Sequence, residues 1–428
     1  MKERTGLVVF VLLTDRCQKL LWVVVVVLIL VPKTFASSSV ETLAEGKRLF
    51  GDVQFQKAQA EFDGVINSTV SSCTELAEAY LWRGYCRLKL ELDTNWRTDL
   101  CMSKNLNPGY VPDSNVFPPI IVSAFSQCVT PANPERGLAG EYDTPGDARG
   151  VAVSGSYACV ADGKSGLQII SISNPSSPNL VGLYNTLGYA YGVAISGSYA
   201  YVADGSSGLQ IVSISSPASP TLVGSFDTPG LAYGVVVSGS YAYVADGSSG
   251  LQIISISNPV SPTLVGSFDT PGMAYGVAVS GSYAYVADGS SGLQIISISN
   301  PAFPTLVGGY NTPGDAWGVT VSGSYAYVAD WNYGLQIINI SNPVARTLAG
   351  SYDTPGYAYG VAVSGNHAYV ADGPSGLQII DISKPAAPTL AGSHDTRGEA
   401  VCAAVSGSYA YVADWSLGLR IIRVCVFE

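Results

Sequence analysis

The amino-acid sequence predicts a mainly β protein, a seven-bladed β-propeller preceded by a small α-helical domain, and three observations carry that prediction. The phrase Val-Ala-Asp recurs seven times, its aspartate falling at 162, 204, 246, 288, 330, 372 and 414, a spacing of 42 each time. So regular a period means one supersecondary unit stacked or ringed. Each unit divides into four short β-rich runs with no helical period, and the two ends of the array complement one another.

The second copy shows how the four runs arise. Gly192 to Ser196 is the first, and a tight turn at Gly197-Ser198 leads into Tyr199 to Ala203. Asp204 to Gly208 reads as a turn because Asp bonds nearby backbone and Gly accepts positive φ, after which Leu209 to Ser215 is the third run. Pro217 and Pro220 break it, since neither donates to a ladder. Thr221 to Asp227 is the fourth, before the turn Thr228-Pro229-Gly230. Four antiparallel strands per repeat make a propeller blade.

A solenoid would need polar caps at its ends, and neither end of the array has one. The array opens instead on a lone fourth strand, Leu138 to Thr144, and closes on a third strand, Leu419 to Val426, with nothing behind it. Pairing these two removes both exposed edges, so a blade built from both ends is expected to close the ring over 138–428.

Upstream of the array the character changes. Lys2, Arg4, Arg16 and Lys19 precede the apolar run Leu20 to Val31, and Thr34-Phe35-Ala36 presents small residues where a signal peptidase reads. That run is short for a span of about 20 residues. Residues 1–36 therefore read as a signal peptide cleaved after Ala36, with an uncleaved anchor as the alternative, and the protein is expected outside the cytoplasm. No lipoprotein site is read at Cys17. Residues 37–128 read as helical. Gly46, Leu49, Ala58 and Phe62, then more weakly Tyr80, Gly84 and Pro108, with Trp96 where Ala is expected, hold a spacing that resembles one to two tetratricopeptide units. A trailing helix is expected near Pro119 to Gln127 and a linker at 129–137. Cys73, Cys86 and Cys101 could supply one disulfide, whereas Cys159 and Cys402, in repeat strands, read as buried small apolar residues.

Within the array, the run Gly-Val-Ala-Val-Ser-Gly, Tyr-Ala-Tyr-Val-Ala-Asp, Gly-Leu-Gln-Ile-Ile-Ser-Ile-Ser, Asn-Pro and Leu-Val-Gly over 276–308 resembles the LVIVD-repeat family, and the resemblance covers about 137–428. It implies a seven-bladed propeller of exported or surface proteins and brings no catalytic residues. Of the 428 residues, 47% are apolar, ample for two cores, and the net charge is −11. Residues 1–136 carry 14 basic and 14 acidic side chains, so the propeller holds the whole imbalance. That disfavours nucleic acid or anionic membrane as partner.

Chemistry-bearing motifs are sparse. His367 stands where other copies have Tyr199, and His394 where they have Phe226, so both read as aromatic core substitutions. Neither Gly-x-Ser-x-Gly nor a phosphate-binding glycine loop occurs, and no cofactor is expected. The seven aspartates, Asp162, Asp204, Asp246, Asp288, Asp330, Asp372 and Asp414, read mainly as turn formers. A minor reading gathers cations on them at a central opening.

Differences among copies crowd onto one face, that of the loops after strands two and four. The position before the first strand reads Arg149, Tyr191, Tyr233, Tyr275, Trp317, Tyr359 and Val401. The loop after strand two is Gly-Ser-Ser or a near variant except at Trp331-Asn332-Tyr333 and Trp415-Ser416-Leu417. Arg149, the five ring aromatics, Trp331, Tyr333 and Trp415 are therefore the candidate ligand contacts, with the two loop tryptophans expected to be the more exposed. The expected function is an exported, non-enzymatic scaffold for a protein or cell-envelope ligand. A metal-dependent hydrolase or lyase at the channel, and a cell-surface adhesion component, are the alternatives.

Overall fold

The computed structural model describes residues 137–424 continuously, and before them 39–51, 54–66, 73–90 and isolated positions between 100 and 124. Seven four-stranded antiparallel sheets form the array. In blade 2 the strands are Gly192–Ser196, Tyr199–Ala203, Leu209–Ser213 and Thr221–Phe226. The third and fourth stop short of the expected Ser215 and Asp227. A tight hairpin sets the first register, pairing Gly192 with Ala203 and Ser196 with Tyr199.

The middle strands are near-continuous apolar runs because both their faces are covered. Ala200, Tyr201, Val202 and Ala203 are all buried. Tyr201 and Ala203 pack on Ala232, Ala242 and Val244 of blade 3, whereas Ala200 and Val202 pack on Ala161, Leu167 and Ile169 of blade 1. Alternation along one strand thus feeds two neighbouring seams, and the core of the propeller lies between blades rather than within them. Each buried branched side chain contributes about 1.5–3 kcal/mol.

Ring closure is as expected. The strand Leu138–Tyr142 joins the sheet of Cys402–Ser406, Tyr409–Ala413 and Leu419–Arg423 as its fourth member. Tyr142 lies opposite Leu419, Glu141 opposite Arg420 and Gly140 opposite Ile421. Tyr409, Tyr411, Leu419 and Ile421 of blade 7 then pack with Ala148, Val151, Ala158 and Ile170 of blade 1, so the last seam has the same construction as the rest.

The helical part contains α1 (Ser39–Gly51), α2 (Phe55–Ile66) and α3 (Cys73–Leu90). Leu49, Ala58, Phe62, Val65 and Tyr80 form a buried cluster. Gly46 is obligatory there, because a Cβ at that position would lie 2.5 Å from the Phe62 ring. Ile121, Val122 and Ala124 are helical, as expected of the trailing segment. Cys86 is buried and free, which takes it out of the expected disulfide; Cys159 is buried and Cys402 half-buried, both free. The signal segment 1–36, most of the linker, Trp96 and Pro108 lie outside the described residues.

Candidate functional site

The innermost strand of each blade faces the central opening, and the residue before it is the ring position singled out by sequence. The structure brings five of the seven together in a belt. Tyr191 and Tyr233 have tilted rings with centroids 4.9 Å apart, while Tyr233 and Tyr275, at 5.2 Å, and Trp317 and Tyr359, at 5.4 Å, meet edge to face. Tyr275 and Trp317 lie flat on one another at 4.2 Å and 6°. All are half-buried. Side chains of adjacent blades therefore pack ring to ring around the mouth, each pair adding about 0.5–1.5 kcal/mol beyond its area. Burial raises the hydroxyls of Tyr233, Tyr275 and Tyr359 above the ordinary phenol range, and the charges of Asp315 beside Tyr275 and Glu399 beside Tyr359 push further in the same direction.

Arg149 occupies the ring position of blade 1 and points elsewhere. Its guanidinium lies over the Trp415 ring at 4.3 Å and over Tyr189 at 5.7 Å. Tyr189 in turn donates its hydroxyl proton to Asp147 at 2.5 Å.

Trp331 and Trp415 correct the expectation of exposed loop tips. Both are half-buried, and both have left-handed backbone (φ 47° and 48°) where the equivalent residue of every other blade is Gly. The left-handed region costs a bulky residue about 1–2 kcal/mol. Each tryptophan is locked by a bridge to the connection entering the next blade, Trp331 with Ala358 and Trp415 with Ala148. Trp331 stacks on Tyr357 at 5.4 Å and 27°. Tyr333 and Tyr357 are the exposed aromatics of this face, at 46% and 43%. Sequence reasoning missed Asp147, Tyr189, Asp315, Tyr357 and Glu399. Their signal was present, since the position two residues before the ring varies from copy to copy as much as the ring does.

The seven aspartates are fully buried. Asp204 accepts from the Thr186 hydroxyl at 2.6 Å and from the Gly188 N–H at 2.8 Å, both in the connection arriving from the previous blade. Five of the other six repeat this pairing, as Thr144 and Gly146 do on Asp162, while Asp414 accepts from Thr396 and from Arg420. The carboxylate is thus a tie between the connection and the turn, beyond the turn-forming role read from sequence. Among the described residues no three His, Cys, Asp or Glu side chains come together as a metal-holding group. Burial outweighs the two hydrogen bonds and pushes Asp162 and Asp372 up to about 6, with the other five raised as well. His367 and His394 are buried in the strand positions of their aromatic counterparts, and burial lowers His394 below the ordinary imidazole range.

Fold and face together define a β-propeller whose irregular residues gather at one mouth of its central opening. The family model of the LVIVD repeat matches seven consecutive segments, 145–186, 187–228, 229–270, 271–312, 313–354, 355–396 and 397–424. The chain belongs to the LVIVD-repeat family. No curated protein matches it. Among solved structures, the WD40 β-propeller domain of Doa1 is similar over 67% of this chain and 96% of its own, at 10% identity and a TM-score of 0.57. The Cps50 (Swd1) β-propeller domain of Myceliophteria thermophila has a TM-score of 0.56 at 12% identity, over 67% of this chain and 99% of its own. A chain of the Mitotic Checkpoint Complex has a TM-score of 0.57 at 14% identity, over 70% and 95%. At such identities the likeness is one of fold.

Proposed function

We propose that this protein is an exported, non-enzymatic binding scaffold that holds a protein partner on the propeller face bearing Trp331 and Trp415. One observation carries the reading. Two tryptophans occupy a strained backbone position that the other blades give to Gly, and strain of this kind persists where an arrangement is held for use. The solved chain from the Mitotic Checkpoint Complex offers fold-level support, a propeller of similar fold being a component of an assembly. The N-terminal helices, with Gly46 seated under Phe62, are read as tetratricopeptide-like and as a second contact.

Cross-linked capture from a native cell-envelope fraction tests the face. Trp331→Gly, which installs the residue of blades 1 to 4, should lose the partner, while Ser240→Ala in the opposite-face hairpin turn should keep it. Retention by the first variant, or equal loss by the second, refutes the assignment. Export is tested separately by N-terminal sequencing: a mature chain starting at Ser37 supports it, and an intact Lys2 segment makes the N-terminus an anchor.

A further inference from the structure

Trp415 and Trp331 occupy equivalent positions at two seams, and at only one of them does a cation lie over the indole. At the seam of blades 7 and 1, Trp415 is covered by the Arg149 guanidinium, with Asp147 close by through Tyr189. At the seam of blades 5 and 6, the position of Arg149 is taken by Tyr359 and that of Asp147 by Tyr357. The aromatic faces are there without their guest.

The charge for a guest is there too. Asp315 and Glu399 are half-buried carboxylates: the field of Asp315 acts on Tyr275, and that of Glu399 acts on Tyr359 against the opposing charge of Arg149. By the repeat, Asp315 and Tyr357 hold on adjacent blades the positions of Asp147 and Tyr189. Among the described residues neither Asp315 nor Glu399 has an ion-pair partner. Arg397, two residues from Glu399, exerts its charge on His394. A half-desolvated carboxylate beside aromatic faces is stabilised when a counter-charge arrives, and an aromatic face attracts a cation by its quadrupole.

We infer that the rim of blades 5 and 6 is a cradle for an organic cation, the guanidinium or alkylammonium head of an Arg or Lys presented by a basic segment of a protein partner. The inference rests on the binding-face reading and gives it a chemistry. Trp331, Tyr357 and Tyr359 supply the faces, and Asp315 and Glu399 the charge. Arg149 on Trp415 is the same pairing made within the molecule.

Isothermal titration of the whole protein with an Arg-Gly octapeptide, its Gln-Gly counterpart and arginine amide tests this. The Arg peptide should bind, the Gln peptide should bind at least tenfold more weakly, and raising salt from about 50 to 300 mM should weaken the Arg peptide several-fold. Displacement by arginine amide would show that the head group alone is recognised. The double variant Asp315→Asn, Glu399→Gln should weaken the Arg peptide about tenfold with an unchanged melting temperature, which separates lost charge from lost fold. Equal binding of the Gln peptide, no binding of the Arg peptide, or full binding by the double variant overturns the cation site. If partner capture still depends on Trp331 while these probes fail, the binding face stands and only its chemistry is wrong.

Discussion

The seam of blades 7 and 1 and the seam of blades 5 and 6 start from the same local geometry and use it differently. In each, a left-handed tryptophan is bridged to the connection of the next blade. At the first seam the indole is turned to closure: Arg149 lies on Trp415, and Arg420 pairs with both Glu141 of the closing strand and buried Asp414. Arg420 stands where the other six blades have Gln, whose amide donates to the carbonyl of its own turn, as Gln210 does to Ser207. At the second seam Trp331 stacks on exposed Tyr357, and no charge is consumed. Closing the ring engages Arg149 and Arg420 at one seam, while the internal seam has Tyr359 and Gln336 in their places.

The largest expected effect comes from removing the strand that only the closing seam needs. Deleting Leu138 to Thr144 leaves the Leu419–Arg423 edge unpaired and strips Arg420 of Glu141. Loss of the monomer in size-exclusion chromatography and a large drop in melting temperature should follow, far beyond the effect of deleting residues 37–130. A propeller that stays monomeric and melts as before would mean the seventh blade does not need its N-terminal strand.

Next in size is Arg149→Ala. It removes the guanidinium from Trp415 and Tyr189, and stability should fall by about 1–2 kcal/mol in a denaturant titration. Trp331→Gly should cost less, because relief of its backbone strain offsets the lost stacking on Tyr357. Equal costs at the two sites would erase the distinction drawn between the seams.

Much of this architecture was legible in sequence, because a strict period, β-rich runs and turn residues are local signals. Closure was legible too, since Leu138 and Leu419 begin runs that each lack a partner. The strand ends were not. Thr144 was read into the closing strand but leaves the ladder to give its hydroxyl to Asp162, 18 residues on, a bond that exists only once two connections meet. Nor was the burial of Trp331 legible, because a Trp in place of Gly reads as a loop tip until its φ is known.

A further effect concerns pH. The buried aspartates have pKa values above the ordinary 3.8, near 6 for Asp162 and Asp372. A carboxyl raised on folding contributes its stabilisation fully below about 4 and loses it as pH rises through about 6. Melting temperature should therefore be higher at pH 5 than at pH 7.5. Asp372→Asn imitates the protonated form, its amide donating to Thr354 and accepting from Gly356, and should flatten that dependence slightly. Asp414→Asn should flatten it less, since Arg420 already favours the ionised carboxyl there. A melting temperature that rises from pH 5 to 7.5 would refute the assignment.

Glu141 and Arg420 are 279 residues apart in the chain, and their pairing sets an order of events as well as a shape. The strand made first waits for the strand made last. Six blades can assemble from neighbouring segments as they emerge, but the seventh forms only when the final repeat is complete, the slow and non-local step of the fold. A chain cut short before Leu419 has no place to put its first strand. Closure thus tells a finished molecule from an unfinished one.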